Sequence, residues 1–550
     1  MTVTGSGESP PMLGTHEGLP QLTVVRARRV VTMAGPDVEA IAVVGATVLA
    51  TGSASRLMTQ FPHARLVSYP GATILPGFND AHVHLTMTSM QLLGVDLSAE
   101  GVPDEASLRQ RLSDGAQQVL DGEWLRGSRY DHTASSGGRI IDRADLDAVA
   151  TELPVVVAHV GAHWGVVNSR ALALAGVDDR TPDPPGGSYG RDAAGHLTGY
   201  VSEQAFFDFA FPSLSRNQEL TPRVEGPEIL RSLGQASDIF LRAGITSVGD
   251  AMVGPAELRL LQDARAAGVL GVRVNALVTS PHLSALEAAG VRSGFGDEWL
   301  RIGGIKAFVD GAVAGRSCAV AEPFVGSSDY GILTTTGADF QALVGQAQDA
   351  GLAVAVHANG ERAIELALDA FEAVPPWRGQ LRHRVEHCSI ITPEILSRMA
   401  ALDIVAVPFA GYPAFHGDKL LDWYGADRLE RMFAHRSMLD TGLTVAGSSD
   451  YPCGQLSPLL GLESCVRRRT PAGRPAGLRQ RITLREALAL YSVGSAQASG
   501  EADHKGRLAP GYLADFVVLD GDLFAVPESD ISNIAVLATW VGGEPRWTSS

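Results

Sequence analysis

The sequence LPGFNDAHVH, residues 75–84, is the starting point for interpreting this chain. Side chains along a strand alternate between its two faces, so His82 and His84 point to the same face. Imidazole is a common ligand of zinc and related metals, and Pro76-Gly77 breaks the chain just before the strand. Taken alone, the pair has two interpretations, a metal site or two buried strand histidines, because a chain with 15 histidines contains such pairs by chance.

Apolar strand-like runs alternate with amphipathic helical runs after this stretch. The pattern predicts an α/β fold of repeated βα units, in which a parallel sheet is covered on both faces. Eight such units predict a closed (β/α)8 TIM-like barrel with its site at the C-terminal ends of the strands. With the His-x-His strand, the candidate strands are 244–250, 273–278, 303–310, 352–358, 382–388, 404–409 and 443–450.

The remaining segments predict three additions to the barrel of residues 76–504. Residues 21–75 and 505–547 contain short β-type runs and predict a small β-sandwich domain built from both termini. Residues 97–235 are too long for one βα connection and predict a subdomain inserted after the first barrel strand. Residues 1–20 are rich in Gly, Ser, Thr and Pro and predict a disordered tail.

Composition excludes several classes of partner. The formal net charge of −17 argues against nucleic acid and anionic membranes, which both require a basic surface. No apolar run of about 20 residues predicts a membrane span. The four cysteines have no close spacing, so we expect reduced thiols and a cytoplasmic protein.

Residues suited to metal binding recur at the ends of later strands. His357 and His387 end the fifth and sixth candidate strands, Asp450 ends the eighth, and Lys306 lies within the fourth. Each has a structural alternative: a hydrogen-bonded core histidine, a helix-capping aspartate, or a lysine paired with Asp310 or a substrate carboxylate. Their common position at strand ends favours one divalent-metal site.

The chemistry of such a set is hydrolytic. Neutral imidazoles and a carboxylate hold a divalent metal with a position left open for water, and metal-bound water loses a proton near neutral pH. Asp450 is placed to accept that proton and return it to a leaving amine. A carboxylated lysine can bridge two metals, and Lys306 is the candidate because lysine is scarce in this arginine-rich chain.

The motifs as a set resemble the amidohydrolase superfamily, in its Amidohydro_3 branch, which includes YtcJ-like hydrolases and N-substituted formamide deformylases. The resemblance extends over residues 22–544. Besides residues 75–84, it rests on GAHWGVVNS (161–169), IKAFVDG (305–311), HANGERAI (357–364), HRVEHC (383–388), GSSD (447–450) and KGRLAPGYLADF (505–516).

The resemblance implies a TIM-like barrel with a small β-sandwich and hydrolysis of a C–N bond, usually an amide. It places the metal ligands at His82, His84, His357 and His387, with Lys306 as the carboxylated bridge and Asp450 as the catalytic aspartate. The region of His163 and Asn168 resembles the insertion that borders the substrate pocket. Arg316, in a loop that departs from the family pattern, is a candidate for binding an anionic substrate group, with a structural salt bridge as the alternative.

These observations favour a metal-dependent amidohydrolase acting on a small-molecule amide or N-substituted formamide. Zinc is the first choice of metal, as one ion or two. Two alternatives stay open: hydrolysis of a cyclic amide or another C–N or C–O bond, and a catalytically silent regulatory protein on the same scaffold. The sequence leaves open whether the chain forms a homo-oligomer.

Overall fold

The computed structural model describes residues 21–99, 101–119, 122–215 and 226–549, so the predicted tail of residues 1–20 lies outside the described part. Three β-sheets organise these residues. We refer to them as the barrel sheet, the terminal sheet and the inserted sheet.

The barrel sheet contains seven parallel strands, and the predicted barrel is confirmed. The eighth predicted strand, 443–450, makes only isolated bridges, but it still closes the barrel. Ala446 N donates to Ala406 O at 2.9 Å, and Ala81 N donates to Gly447 O at 3.0 Å. The seven strands are Phe78–Val83, Ile245–Val253, Arg273–Thr279, Leu300–Phe308, Val354–Ala358, Arg384–His387 and Val405–Pro408.

Helices cover the outside of the barrel and bury one face each. The local signals are clear in Pro393–Ala401, where Pro393 occupies the first turn and Thr392 Oγ1 accepts from Ile395 N at 3.2 Å. The other helices that follow barrel strands or pack beside them are Leu85–Gln91, Pro227–Arg242, Pro255–Ala266, Leu283–Ala288, Gly337–Asp349, Glu361–Ala373, Tyr412–Tyr424, Ala426–Leu429, His435–Asp440, Pro458–Arg467, Leu484–Ala489 and Ser495–Ala498.

The terminal sheet joins both ends of the chain, as predicted for the small β-domain. Its central strand, Arg65–Pro76, lies between the N-terminal strand Leu22–Val30 and the C-terminal strand Phe516–Leu519. Only Gly77 separates this central strand from the first barrel strand, and a Cβ there would lie 2.3 Å from Thr246 Cγ2. The other strands are Val38–Val44, Thr47–Gly52, Val536–Val541 and Glu544–Thr548, and helix Ala54–Gln60 packs beside them.

A buried ion pair fastens the terminal sheet to the barrel. The guanidinium of Arg273, on the third barrel strand, donates to both carboxylate oxygens of Asp515 at 2.7 and 3.1 Å. Arg273 is 1% exposed and stacks on Trp299. The pair therefore links the barrel wall directly to the segment that begins the C-terminal strands.

The inserted sheet follows the first barrel strand and its helix, as predicted, and has its own apolar core. Helix Pro227–Arg242 packs into the barrel core instead, so the inserted unit ends before the predicted limit of residue 235. Its strands are Val95–Asp96, Leu125–Tyr130, Val155–His159, Trp164–Val167, Gly187–Arg191 and Leu197–Glu203, with helices Glu105–Ala116, His132–Ser135, Arg143–Asp147, Ser169–Leu174 and Gln204–Ala210.

Two further expectations concern the thiols and the membrane. All four cysteines are buried and free of disulfides. Among the helices of the described ranges, none combines the length and the apolar character needed to span a bilayer.

Candidate metal centre

The strand ends of the barrel bring together all six predicted metal-site residues. His82 lies on the first strand and His84 just after it, while Lys306, His357 and His387 lie on the fourth, fifth and sixth strands. The closing segment 443–450 contributes Asp450, whose backbone N donates to His82 O at 2.9 Å. All six side chains line a single pocket, as the convergence of parallel strand ends predicts.

Asp450 is the centre of this cluster. Its Oδ1 lies 3.1 Å from His84 Nε2 and 3.4 Å from His82 Nε2. One ligand atom each from His82, His387 and Asp450 lie within 4.8 Å of one another. The Lys306 Nζ lies 3.5 Å from the same His82 Nε2.

A buried carboxylate and the guanidinium bound to it hold His82 in place. Glu386 accepts a short hydrogen bond from His82 Nδ1, and the same carboxylate is bound by the Arg384 guanidinium. Because the carboxylate accepts, the His82 proton lies on Nδ1, and the Nε2 lone pair faces Asp450 and Lys306. Glu386 and Arg384 were not among the sequence candidates, although two charged residues in a short strand predicted to line the barrel are a visible signal.

His357 lies at the edge of the cluster. Its Nε2 is 3.1 Å from the carbonyl oxygen of Gly311 and 3.0 Å from Asn359 Nδ2. Asn359 in turn accepts from Ser389 Oγ at 2.6 Å. His357 therefore lines the pocket, but it is not within the group formed by His82, His387 and Asp450 in this conformation.

Burial controls the protonation of the ligands. It lowers the pKa of His82, His357 and His387 well below the ordinary histidine value, with neighbouring cations and imidazoles adding to the effect. These rings are therefore neutral near pH 7 and can act as ligands. Burial also lowers the pKa of Lys306 to about 8, against the opposing effect of the Glu386 and Asp450 carboxylates.

The donor set fits a divalent metal. The buried His387 Nδ1 and His84 Nδ1 have no hydrogen-bond partner within the described ranges. An orphaned buried nitrogen is unfavourable unless something binds it. Neutral imidazoles and one carboxylate are the ligands of open zinc sites, which keep a position for water or substrate.

The inserted unit adds His163 to the pocket. Its ring lies 4.9 Å from that of His357, and its Nδ1 is 2.8 Å from Glu203 Oε2. Burial lowers the pKa of His163, but the Glu203 carboxylate outweighs it, and the net shift is upward. With Nδ1 bound to Glu203, Nε2 is the ring nitrogen that can contact a molecule in the pocket. Glu203, which holds a positive φ of 49°, was not predicted from the sequence.

The structure does not bring Asn168 or Arg316 to the pocket lining. Asn168 caps helix Ser169–Leu174 through a hydrogen bond from Ala171 N at 2.9 Å, and its amide donates to two backbone carbonyls. Asn168 therefore has a structural role in the inserted unit. The Arg316 guanidinium lies over the rings of Phe324 and Trp423, at 5.4 and 5.9 Å from their centroids, so its contacts here are of the cation–π type.

A (β/α) barrel with imidazoles, a lysine and an aspartate at its strand ends defines the class of barrel-type metal-dependent hydrolases. Comparison with known proteins then identifies the family. Residues 69–546 match the Amidohydro_3 amidohydrolase family, and the chain belongs to it.

Two relatives and one solved structure illustrate the similarity. The chain is 30% identical to YtcJ of Bacillus subtilis (strain 168), which is named as an amidohydrolase, over 93% of this chain and 96% of YtcJ. It is 31% identical to the N-substituted formamide deformylase of Arthrobacter pascens, over 92% and 93% of the two chains. The crystal structure of an uncharacterized metal-dependent hydrolase from Pyrococcus furiosus superposes with a TM-score of 0.71 at 26% identity, over 91% of this chain and 99% of that one.

Family, fold and site agree at the level of reaction class. The chain is a hydrolase of the amidohydrolase type with a candidate divalent-metal site.

Proposed function

We propose that this protein hydrolyses the C–N bond of an amide or N-substituted formamide with the help of a divalent metal, zinc being the first choice. The observation that carries the proposal is the position of Asp450, whose Oδ1 lies 3.1 and 3.4 Å from the Nε2 atoms of His84 and His82. The relationship to an N-substituted formamide deformylase supports the choice of bond.

The metal ligands in this proposal are His82, His84, His357, His387 and Asp450, with Lys306 as a carbamate bridge if two ions bind. A bound divalent ion would polarise the substrate carbonyl and lower the pKa of water. A hydrogen bond from His357 Nε2 to the Gly311 carbonyl oxygen leaves Nδ1 as the ring nitrogen that could bind a metal.

Proton transfer is assigned to Asp450. The carboxylate is 7% exposed and opens onto the pocket, so it can accept a proton from the attacking water. The same group returns that proton to the departing nitrogen, which converts a poor leaving group into a neutral amine.

His163 is assigned to the substrate carbonyl. The Glu203 carboxylate accepts from His163 Nδ1 and raises the pKa of the ring, which favours the imidazolium form, and in that form Nε2 can donate a hydrogen bond to an oxygen that gains negative charge during attack. A donor oriented before the reaction is more effective than one that must reorganise. The inserted unit therefore completes the site of the barrel.

Asp450→Asn tests the proposal, with the exposed Asp349→Asn as the matched control. Each protein is analysed for metal content and assayed against N-substituted formamides and other amides. We expect Asp450→Asn to keep its fold and most of its metal but to lose about 10²–10⁴-fold in kcat, while Asp349→Asn retains normal turnover. Near-normal turnover by Asp450→Asn would show that another group is the base. A metal-replete wild type that cleaves none of these substrates would contradict the proposed bond.

A further inference from the structure

The pocket at the metal centre is small. Its cavity volume is about 30 Å³, and a single water requires about 10–15 Å³ on the same measure. This space accommodates the reacting carbonyl and a water, together with the metal. The remainder of a larger substrate must lie outside it.

A larger apolar cavity lies beside the metal centre, and we call it the side chamber. Its volume is about 140 Å³. One wall is helix Leu85–Gln91, which begins directly after the ligand His84. The inserted strands Leu125–Tyr130 and Val155–His159 and helix Pro255–Ala266 form the other walls, and the apolar lining includes Met87, Met90, Val156, Phe211, Ile229 and Leu260.

Met252 lines both the side chamber and the metal pocket. It lies at the end of the second barrel strand, is 7% exposed, and follows Asp250, which accepts from Thr86 N at 3.2 Å. This hydrogen bond joins the second barrel strand to helix Leu85–Gln91, and methionine is the side chain at the boundary between the two cavities. Methionine is unbranched and flexible, so it adapts to different neighbours without opening a void.

We propose that the side chamber receives an uncharged apolar substituent of the substrate, which passes Met252 while the scissile bond stays at the metal centre. This inference rests on the proposed amide hydrolysis. An apolar protein cavity of about 150 Å³ stays dry and binds benzene, so the side chamber fits a group the size of one aromatic ring. The charged side chains on its wall, Arg126 and Glu257, already interact with other groups of the protein. The chamber is therefore not suited to a charged substituent.

The test fills the side chamber without touching the metal pocket. Ala256 lines the chamber from helix Pro255–Ala266, and Ala266 is exposed on the same helix. Ala256→Phe adds a ring to the chamber, whereas Ala266→Phe adds the same ring to the surface and is the matched control. Leu260→Trp fills the chamber from one turn further along, should Ala256→Phe fail to unfold cooperatively.

The first measurement is kcat/KM for N-methylformamide and N-(2-phenylethyl)formamide with metal-replete protein. We expect the wild type to favour the phenylethyl substrate by at least about tenfold. Ala256→Phe should lower kcat/KM for that substrate by about tenfold or more and leave N-methylformamide nearly unchanged, while Ala266→Phe changes neither. Equal losses on both substrates, or no loss on either, would overturn the assignment.

The second measurement is independent of catalysis. Binding of 2-phenylethanol to the metal-free proteins is followed by calorimetry. We expect binding to the wild type and to Ala266→Phe, and affinity at least about tenfold weaker for Ala256→Phe. Absence of binding to the wild type would refute the side chamber as a ligand site. If no formamide is cleaved but the alcohol binds in this pattern, the proposed function fails and the chamber assignment stands.

Discussion

From the hydrogen bond between His82 and Glu386, we predict that a buried carboxylate outside the pocket controls metal binding. Glu386 accepts from His82 Nδ1 and, at 2.8 Å, from Arg384 Nη2. This arrangement keeps the proton of His82 on Nδ1. The lone pair of Nε2 therefore remains directed at the metal pocket, where Asp450 Oδ1 is 3.4 Å away.

Glu386→Gln replaces one acceptor oxygen by an NH2 donor of nearly the same size. Arg384 Nε donates to one oxygen of Glu386, while Arg384 Nη2 and His82 Nδ1 both donate to the other, so the NH2 group of a glutamine meets a donor in either orientation. In both orientations the negative charge that holds the His82 proton on Nδ1 is lost, so a larger fraction of the rings carries the proton on Nε2, which then cannot bind a metal. Loss of such an outer partner lowers metal affinity by about 10–100-fold, or about 1.4–2.8 kcal/mol.

The assay is a competition titration of metal-free protein with zinc and a chelator of known affinity. Glu365→Gln, an exposed glutamate on helix Glu361–Ala373, is the matched control and should bind zinc as the wild type does. Urea unfolding identifies any general loss of stability. A folded Glu386→Gln protein with wild-type zinc affinity would refute the argument that Glu386 sets the tautomer of His82.

Three further predictions follow from other contacts. Lys306→Ala and Lys306→Arg should both lose activity, and acetate or propionate in the assay should partly restore only the alanine variant; absence of rescue would contradict a bridging carbamate. Burial raises the pKa of Asp250 to about 6. The folded state therefore keeps a proton that the unfolded chain releases near pH 4. As a result, the free energy of unfolding should fall by roughly 2–3 kcal/mol from about pH 4 to pH 6. Urea unfolding of Asp250→Asn should lack that fall, and an identical pH profile would show that Asp250 is ionised in the folded state. Asp515→Ala leaves the buried Arg273 with only the exposed Glu298 carboxylate at 3.8 Å and should lower the free energy of unfolding by about 3–5 kcal/mol, whereas Asp369→Ala, at the exposed pair with Arg398, should lower it by less than about 1 kcal/mol.

The clustering of the six candidate metal-site residues was predictable because their position follows from repeated local patterns. His387 ends its strand and His357 is next to the end of its own, which places both side chains at one rim of the barrel. Asp450 reaches the same rim although residues 443–450 form no continuous strand. Hydrogen bonds to both neighbouring strands were sufficient to hold it there.

Other features depend on contacts that no local pattern contains. Glu386 meets His82 across 304 residues of sequence, and Glu203 meets His163 by pairing within the inserted sheet. The side chamber is formed by segments from separate parts of the chain, so no periodicity in the sequence predicts it. Asn168 is different, because an asparagine directly before a helical run is a visible capping signal.

The continuity of strand Arg65–Pro76 with the first barrel strand has a consequence for synthesis on the ribosome. One edge of Arg65–Pro76 pairs with Phe516–Leu519, which is translated long after it. Domains generally fold as units while the chain emerges, but this edge stays without its neighbour until Phe516–Leu519 has left the tunnel. The strand that holds His82 is thus anchored late. We expect nascent chains halted before residue 516 to retain metal poorly.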